Sequence, residues 1–164
     1  PELAAALSEV TPASSRRMDV FDRLDGVTVI DDSYNANPAS TAAALRALAA
    51  IGAGRRRVAV LGYLAELGDQ EREGHRQVGQ LAAELGVDRL VVVGAEAAPI
   101  HDGAVAVPNW GGESVVVSDQ DAAVAWLRSA MRPGDVVLVK GSRYRTWTVA
   151  DALRDEDLIG LVTS

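Results

Sequence analysis

Hydrogen-bonding side chains of several kinds are concentrated in the stretch 31–37, whose sequence is DDSYNAN. Carboxylates accept hydrogen bonds or pair with cations, whereas a phenol and amides both donate and accept. The chain contains only three asparagines, and two of them lie here. Such groups are suited to binding and orienting a polar ligand. The candidate residues of this stretch are Asp31, Asp32, Tyr34, Asn35 and Asn37.

A strand and a helix are predicted to hold this stretch in place. Val27, Val29 and Ile30 form an apolar run that predicts a buried strand ending at the two aspartates. Asn37 followed by Pro38 is typical of a helix start, with the asparagine as N-cap and the proline at the first helical position. Open α/β sheets bind ligands at the carboxyl ends of their strands, so the loop lies where a ligand is expected.

Two more predicted strands end in polar loops, 62–68 with the sequence GYLAELG and 140–143 with the sequence KGSR. In a parallel sheet the three loops share one edge, so they can line one cleft. Lys140 is the only lysine beside fifteen arginines. This composition leaves open whether Lys140 has a chemical role or occurs by chance.

Structural explanations compete with the functional one for individual residues. Asp31 or Asp32 could cap neighbouring backbone amides, Glu66 could be a solvated surface carboxylate, and Ser142 could be only the N-cap of the last helix. The two histidines lack the spacing of metal ligands. His75 lies near a helix start and is predicted to pack or cap rather than act as a base.

Helix and strand patterns alternate along the chain after residue 26, which predicts an α/β fold. We expect a Rossmann-like, doubly wound, mostly parallel sheet of five or six strands with helices on both faces. The strand at 16–21 is expected to pair with 27–31 across a turn. The other predicted strands are 57–62, 89–94, 104–107, 114–117 and 136–139. The predicted helices are 1–10, 37–50, 71–85, a short one within 95–113, one capped by Asp119 or Asp121, and 146–154.

Composition limits the possible classes of protein. The 164 residues, 48% of them hydrophobic, are enough for one domain with a sizeable core. The absence of cysteine excludes disulfides, thiolate metal sites and a cysteine nucleophile. A formal charge of -7 argues against a nucleic-acid partner. No apolar run approaches the roughly 20 residues that span a bilayer, and the first residues lack the basic segment of a signal peptide, so a cytoplasmic location without membrane insertion is expected.

Glycine motifs that cradle phosphates do not occur in the chain. No G-x-G-x-x-G follows a predicted strand, and no G-x-x-x-x-G-K-[ST] is present. A nucleotide that binds at the predicted cleft must therefore have most of its phosphates held by another part of a larger protein.

Four motifs follow one another along the chain: Arg17-Met18, DDSYNANP at 31–38, AELG at 65–68 followed by His75, and LVKGSR at 138–143. Together they resemble the C-terminal domain of the Mur ligases, the ATP-dependent amide-forming enzymes of peptidoglycan synthesis. The sequence Asn-Ala-Asn at 35–37 resembles the one found in the branch of the family that adds D-Ala-D-Ala. Sibling branches carry histidines at these positions. Tyr63 stands where that family usually has Asp, so position 63 is left out of the predicted site.

The resemblance implies an enzyme with three domains, of which the central ATPase contains the P-loop. Residues 1–15 are then expected to be a lead-in helix and a linker from that domain, and 16–164 the C-terminal domain that binds the amino substrate. The implied reaction joins D-Ala-D-Ala to UDP-N-acetylmuramoyl-tripeptide and consumes ATP. ATP and Mg²⁺ are expected to be held mainly by the central domain, so the isolated domain should bind neither tightly and be inactive.

The resemblance also implies roles for individual residues. No catalytic base and no metal ligand is assigned. A sibling amide ligase of the folate polyglutamate type and a non-catalytic binding module with the same fold are the alternatives. The residues expected to contact ATP are Arg17, Asp32, Tyr34 and Asn35. The residues expected to contact the dipeptide are Asn37, Lys140, Ser142 and Arg143.

Overall fold

A computed structural model describes residues 16–65, 67–141 and 146–154. Its strands are β1 (Asp19–Asp22), β2 (Thr28–Asp31), β3 (Arg57–Leu61), β4 (Arg89–Val93), β5 (Glu113–Val117) and β6 (Val136–Lys140). They form one sheet in the order β1-β2-β6-β3-β4-β5. β1 and β2 are antiparallel, and every other neighbouring pair is parallel.

The described residues contain five α-helices, of which the first four lie between strands and the fifth follows β6. They are α1 (Pro38–Ile51), α2 (Glu71–Glu84), α3 (Pro99–Val105), α4 (Gln120–Ala130) and α5 (residues 147–154). Single turns of 3₁₀-helix, Gly68–Gln70 and Ala95–Ala97, precede α2 and α3. In this part of the chain no helix combines the length and the apolar composition needed to cross a membrane.

Side chains of the sheet alternate between two hydrophobic cores. Ile30 and Leu138 pack in the core formed with α1, α2 and α3, whereas Val29 and Val139 pack in the core formed with α4 and α5. β6 lies between β2 and β3, and all five of its residues are buried. A strand covered on both faces has a continuous apolar sequence, which explains why VVLV precedes the lysine. The predicted doubly wound fold is confirmed.

Most predicted elements are present with small shifts at their ends. The predicted hairpin at the start is confirmed, since β1 pairs with β2 in a register that joins Phe21 to Val29. The predicted helix start is also confirmed, because Asn37 is the N-cap of α1 and Pro38 its first residue. The last helix begins at residue 147, one residue later than predicted.

The strand predicted at 104–107 is wrong. Ala104 and Val105 are the last residues of α3, and Val107 follows in a turn. Four consecutive apolar residues fit the end of a short helix as well as a strand, so periodicity alone does not separate the two. The lead-in helix and linker predicted for 1–15 lie outside the described residues.

Candidate functional site

The loops after β2, β6 and β3 meet because these strands are neighbours in the sheet. The amide of Asp32 donates to the carbonyl of Val139 at 3.0 Å, and the amide of Gly62 donates to the carbonyl of Lys140 at 2.9 Å. Parallel pairing thus continues one residue beyond β2 and β3. The predicted convergence of polar loops at one sheet edge is confirmed for the described parts of these loops.

The two aspartates at the end of β2 point to opposite faces of the sheet. Side chains alternate along a strand, so Asp31 lies on the face of Val29 and Asp32 on the face of Ile30. Lys140 lies on the face of Leu138, which is the face that carries α1. Asp32 and Lys140 therefore meet on the α1 side, and Asp31 lies on the α5 side.

The ammonium of Lys140 is buried and surrounded by oxygens. Its Nζ donates to Oδ2 of Asp32 at 2.7 Å, to the carbonyl of Asn35 at 2.9 Å and to the carbonyl of Asp32 at 3.4 Å. The lysine side chain is 3% exposed and that of Asp32 is 12% exposed. Three acceptors match the three donors of an ammonium group. In this arrangement Lys140 binds the loop 32–35 of its own chain.

Residues 16–18 run beside this loop in an uncommon backbone conformation. Arg16 and Met18 have φ values of 43° and 48°, although neither is glycine. The amide of Met18 donates to Oδ1 of Asp32 at 2.9 Å, and the amide of Tyr34 donates to the carbonyl of Arg16 at 2.9 Å. Left-handed non-glycine residues persist only where surrounding contacts hold them, and here both contacts come from the loop 32–35.

The side chain of Arg17, between these two residues, lies over an aromatic ring. Its guanidinium carbon is 4.0 Å from the centroid of the Tyr34 ring, and both side chains are exposed. Cation–π contact of this kind orients a guanidinium without removing its N–H donors. Arg17 is therefore held at the exposed edge of the cavity, and its contact with the ring does not use its N–H donors.

The N-terminus of α1 forms the next part of the site. Oδ1 of Asn37 accepts a hydrogen bond from the amide of Ser40 at 2.8 Å, and the hydroxyl of Ser40 accepts one from the amide of Asn37 at 3.1 Å. This reciprocal capping box fixes the first turn of a 14-residue helix. The positive end of the helix dipole is thus turned toward the same loop, where it favours negative charge.

A cavity of about 410 Å³ lies between these groups. Small side chains of α1 form its apolar wall, and the polar groups described above form the rest. It is lined by Arg17, Met18, Asp32, Tyr34, Asn35, Asn37, Ser40, Ala43, Ala44 and Lys140.

Asp31 has a different set of partners on the α5 side. Its carboxylate accepts hydrogen bonds from the hydroxyl and amide of Ser33 and lies 3.8 Å from Arg16 and 3.6 Å from Arg154. Burial raises the pKa of Asp31 above its ordinary value, although the Ser33 hydrogen bonds and both arginines act in the opposite direction. Both arginines have a second carboxylate partner, Asp151 for Arg16 and Asp19 for Arg154.

The loop after β3 is tied to α2 by a buried histidine. Nε2 of His75 accepts the amide of Leu64 at 3.0 Å, so Nδ1 carries the proton and donates to the carbonyl of Glu71 at 2.6 Å. His75 is fully buried, in agreement with its predicted packing role. The ring of Tyr63 lies 5.3 Å from that of His75 and lines a second cavity of about 280 Å³ beside Gly94 and Asp119. Glu66 lies outside the described residues.

Residues 16–65, 67–141 and 146–154 contain no group of three or more acidic or histidine side chains that could hold a metal ion. The carboxylates near the cavity are instead paired with Lys140 or with arginines.

The chain matches a known family of domains. Residues 16–143 match the family described as Mur ligase, glutamate ligase domain. The chain belongs to the Mur ligase family. The match includes β1–β6 and every described residue that lines the 410 Å³ cavity.

Curated relatives of this Mur ligase domain include the UDP-N-acetylmuramoyl-tripeptide–D-alanyl-D-alanine ligase of Mycobacterium tuberculosis (strain CDC 1551 / Oshkosh). The two are 49% identical over 179 aligned positions, which cover 98% of this chain and 35% of that protein. The chain thus spans about a third of the relatives that it matches.

Solved structures lead to the same family. The MurF ligase of Thermotoga maritima, determined in complex with ADP, matches with a TM-score of 0.70 and 27% identity, over 87% of this chain and 31% of that one. The folylpolyglutamate synthase/dihydrofolate synthase of Yersinia pestis has a TM-score of 0.59 and 23% identity, over 85% and 31% of the two chains, and so shares the fold. The folate type therefore fits this Mur ligase domain less well than the MurF type.

The structure brings together six of the eight site residues predicted from sequence, and all six line the cavity: Arg17, Asp32, Tyr34, Asn35, Asn37 and Lys140. Ser142 and Arg143 lie outside the described residues. What these residues bind stays a prediction. The contacts of Lys140 within the domain were not expected, because the sequence suggested a ligand as its partner.

Sequence reasoning missed the residues that support the site. Ser40 completes the capping box, and its signal was present three residues after Asn37. Ser33 binds Asp31, and a serine two residues after an aspartate is a common local partner. The hydrogen bond from the amide of Met18 could not be predicted from the sequence. It requires positive φ at Arg16 and Met18, and neither is a residue type that favours positive φ.

Proposed function

We propose that this Mur ligase domain is part of an ATP-dependent ligase that adds D-Ala-D-Ala to UDP-N-acetylmuramoyl-tripeptide in peptidoglycan synthesis. The observation that carries the proposal is the 49% identity to a ligase of that name over 98% of the chain. The cavity adds support, because the phrase from Asp32 to Asn37 that marks this branch contributes its polar wall.

ATP is proposed to approach the side of the cavity that carries Arg17. The planar guanidinium matches phosphate oxygens, and the exposed ring of Tyr34 holds it in place. Asp32 keeps lone pairs beyond those used by Met18 and Lys140, so it can accept from ribose hydroxyls. Asn35 lies at the same wall.

The dipeptide is proposed to lie toward Asn37 and the loop after β6. The N-terminus of α1 favours the negative charge of a carboxylate or of a developing oxyanion. Ser142 and Arg143, which follow β6 in the sequence, are proposed to hold the dipeptide. The role predicted for Lys140 as a carboxylate ligand needs its three present hydrogen bonds to be broken.

In the proposed reaction the terminal carboxylate of the tripeptide attacks the γ-phosphate of ATP and forms an acyl phosphate with release of ADP. The amine of the dipeptide attacks the acyl carbon, and the tetrahedral intermediate expels phosphate as the amide forms. The domain contributes binding, orientation and exclusion of water when it closes over the nucleotide. Mg²⁺ is proposed to be held mainly by the ATPase part of the full-length enzyme. A cytoplasmic location is proposed because ATP and UDP-linked precursors are found there.

Ligation by the full-length enzyme tests the proposal. Phosphate release and product mass are measured with D-Ala-D-Ala, D-Glu and L-Glu as competing amines. We expect amide formation with D-Ala-D-Ala, and preference for a single glutamate would instead support a sibling ligase. No amide with any amine would support a non-catalytic module.

Single variants then test the site. Arg17→Ala and Asp32→Ala are each expected to raise the KM for ATP about tenfold, the loss typical of a hydrogen bond to a charged group. Glu84→Ala is the matched control, since Glu84 is exposed at the C-terminal end of α2, at the opposite edge of the sheet. The chain of 164 residues alone is expected to show no tight ATP binding by calorimetry.

A further inference from the structure

Lys140 contacts its own chain at both ends of one short loop. Its Nζ bonds the carboxylate and the carbonyl of Asp32 and the carbonyl of Asn35, so one ammonium closes the loop 32–35. A lysine that served as a ligand for an incoming carboxylate would keep donors available. All three donors of Lys140 are used inside the domain.

The same loop fixes the segment that carries Arg17. Oδ1 of Asp32 accepts the amide of Met18, and the amide of Tyr34 donates to the carbonyl of Arg16. These bonds hold the two left-handed residues on either side of Arg17. A left-handed backbone is unfavourable for residues other than glycine, so this conformation of the segment depends on the bonds from the loop 32–35.

We propose that Lys140 is a positioning residue that fixes the loop 32–35 and, through Asp32, sets the backbone of residues 16–18 so that Arg17 faces the cavity. Lys140 thereby acts on the nucleotide side of the site without touching a ligand. The inference rests on the proposed function only for the role of Arg17 toward ATP, because the chain of contacts from Lys140 to Met18 exists in the domain itself.

Shape makes lysine specific for this position. A compact ammonium fits among three oxygens at 2.7, 2.9 and 3.4 Å, whereas a planar guanidinium is larger and presents its donors as a fork. Arginine would serve well as a ligand for a carboxylate, and it would not fit as a buried bridge within this loop. Lys140→Arg therefore separates the two roles.

The kinetic test uses the full-length enzyme with the variants Lys140→Arg, Lys140→Met and Arg17→Ala. Positioning predicts that both lysine variants raise the KM for ATP by about the same factor as Arg17→Ala and leave the KM for D-Ala-D-Ala unchanged. The double variant Arg17→Ala/Lys140→Met is expected to raise the KM for ATP by less than the product of the two single factors, because part of the effect of the lysine passes through the arginine. A raised dipeptide KM in Lys140→Met that Lys140→Arg restores would overturn the proposal.

A second measurement does not depend on ligation. In the 164-residue chain the amide of Met18 is bonded only to the Asp32 carboxylate among the contacts described. Lys140→Met is expected to accelerate hydrogen exchange of that amide at least tenfold, while the amides of β4 keep their protection. Unchanged exchange at Met18 in a folded variant would overturn the proposal even if the enzyme proves to be a D-Ala-D-Ala ligase.

Folding losses are controlled with the double variant Asp32→Asn/Lys140→Met. It removes both charges, so no buried ion is left without its partner. If this variant is as stable as the wild type and has a KM for ATP above that of Asp32→Asn alone, then neither folding nor the lost carboxylate accounts for the effect, and positioning by Lys140 does. A stable double variant with the wild-type KM would show that the bridge serves stability alone.

Discussion

Asp31 and Asp32 are neighbours at the end of β2, but the two carboxylates lie in different surroundings. Asp32 faces the cavity on the α1 side and binds a lysine that is almost completely buried. Asp31 faces α5 and lies between two arginines that are partly exposed and have other carboxylate partners. The alternation of a strand separates them, since one residue of offset reverses the face.

The difference shows which partner depends on which aspartate. Lys140 has one carboxylate within reach among the described residues, so its buried charge depends on Asp32. Arg16 and Arg154 keep Asp151 and Asp19 if Asp31 is removed. Asp31 instead matters most to Ser33, which is fully buried and donates to it twice. On the α1 side the main contact is therefore the buried ion pair of Asp32 with Lys140. On the α5 side it is the pair of hydrogen bonds from Ser33 to Asp31.

The largest effect on stability is expected for Asp32→Ala. It leaves the ammonium of Lys140 buried without a carboxylate, and breaking a buried pair in this way costs about 3–5 kcal/mol. Urea unfolding of the 164-residue chain measures the loss. Asp32→Ala/Lys140→Met should recover much of it. A loss below about 1 kcal/mol, the value typical of exposed pairs, would mean that the two sides do not differ in this respect.

Asp31→Ala is expected to have the next largest effect, by a different route. It removes the acceptor of the buried Ser33 hydroxyl and amide, and unsatisfied buried groups of this kind cost about 1–3 kcal/mol. The arginines should contribute little to the loss. Urea unfolding again gives the value, and Ser33→Ala in the same background should recover the part due to the hydroxyl. No recovery would point to the arginines instead.

The sequence predicted the frame of this arrangement well. Continuous apolar runs such as VVLV in β6 indicate strands covered on both faces, and the Asn37-Pro38 pair fixed the start of α1, because both signals are local. The helix end at residues 104–107 was missed, since a short apolar stretch has no unique period. Because β2, β6 and β3 are parallel, their polar carboxyl ends were correctly predicted to lie at one edge of the sheet.

Pairing within the site could not be predicted in the same way. The sequence placed Asp32 and Lys140 at one edge of the sheet, although they are 108 residues apart along the chain. Their contact depends on the position of β6 between β2 and β3. Alternation along β2 places Asp31 and Asp32 on opposite faces, but tertiary packing decides which of these faces α1 covers. The left-handed backbone at Met18 is imposed by tertiary contacts, and no local residue preference announces it.

A smaller effect is expected for the ion pair of Arg16 with Asp151, whose nearest atoms are 2.8 Å apart. Asp151 is well exposed, so a double-mutant cycle with alanine should give a coupling of about 0.2–1 kcal/mol that falls with added salt. The same cycle for Asp32 and Lys140 should be larger and almost independent of salt, because that pair is shielded from solvent. Equal salt dependence of the two couplings would contradict the difference between the two sides.

The smallest expected effect is the pH dependence of stability that the carboxylate of Asp31 produces. Burial raises its folded-state pKa above the value of about 3.9 in the unfolded chain, so the folded protein holds this proton more tightly. The stability of the wild type relative to Asp31→Asn should therefore fall as pH rises from about 3.9 through the folded pKa, and then level off. Asparagine keeps the acceptor for Ser33 and does not titrate, and any repulsion between its amide and the two arginines is the same at every pH. Unfolding curves at a series of pH values measure the difference. If the stability of the wild type relative to Asp31→Asn instead rises with pH, then the two arginines outweigh burial. In that case both aspartates at the end of β2 are held by paired cations, and the difference between the two sides is lost.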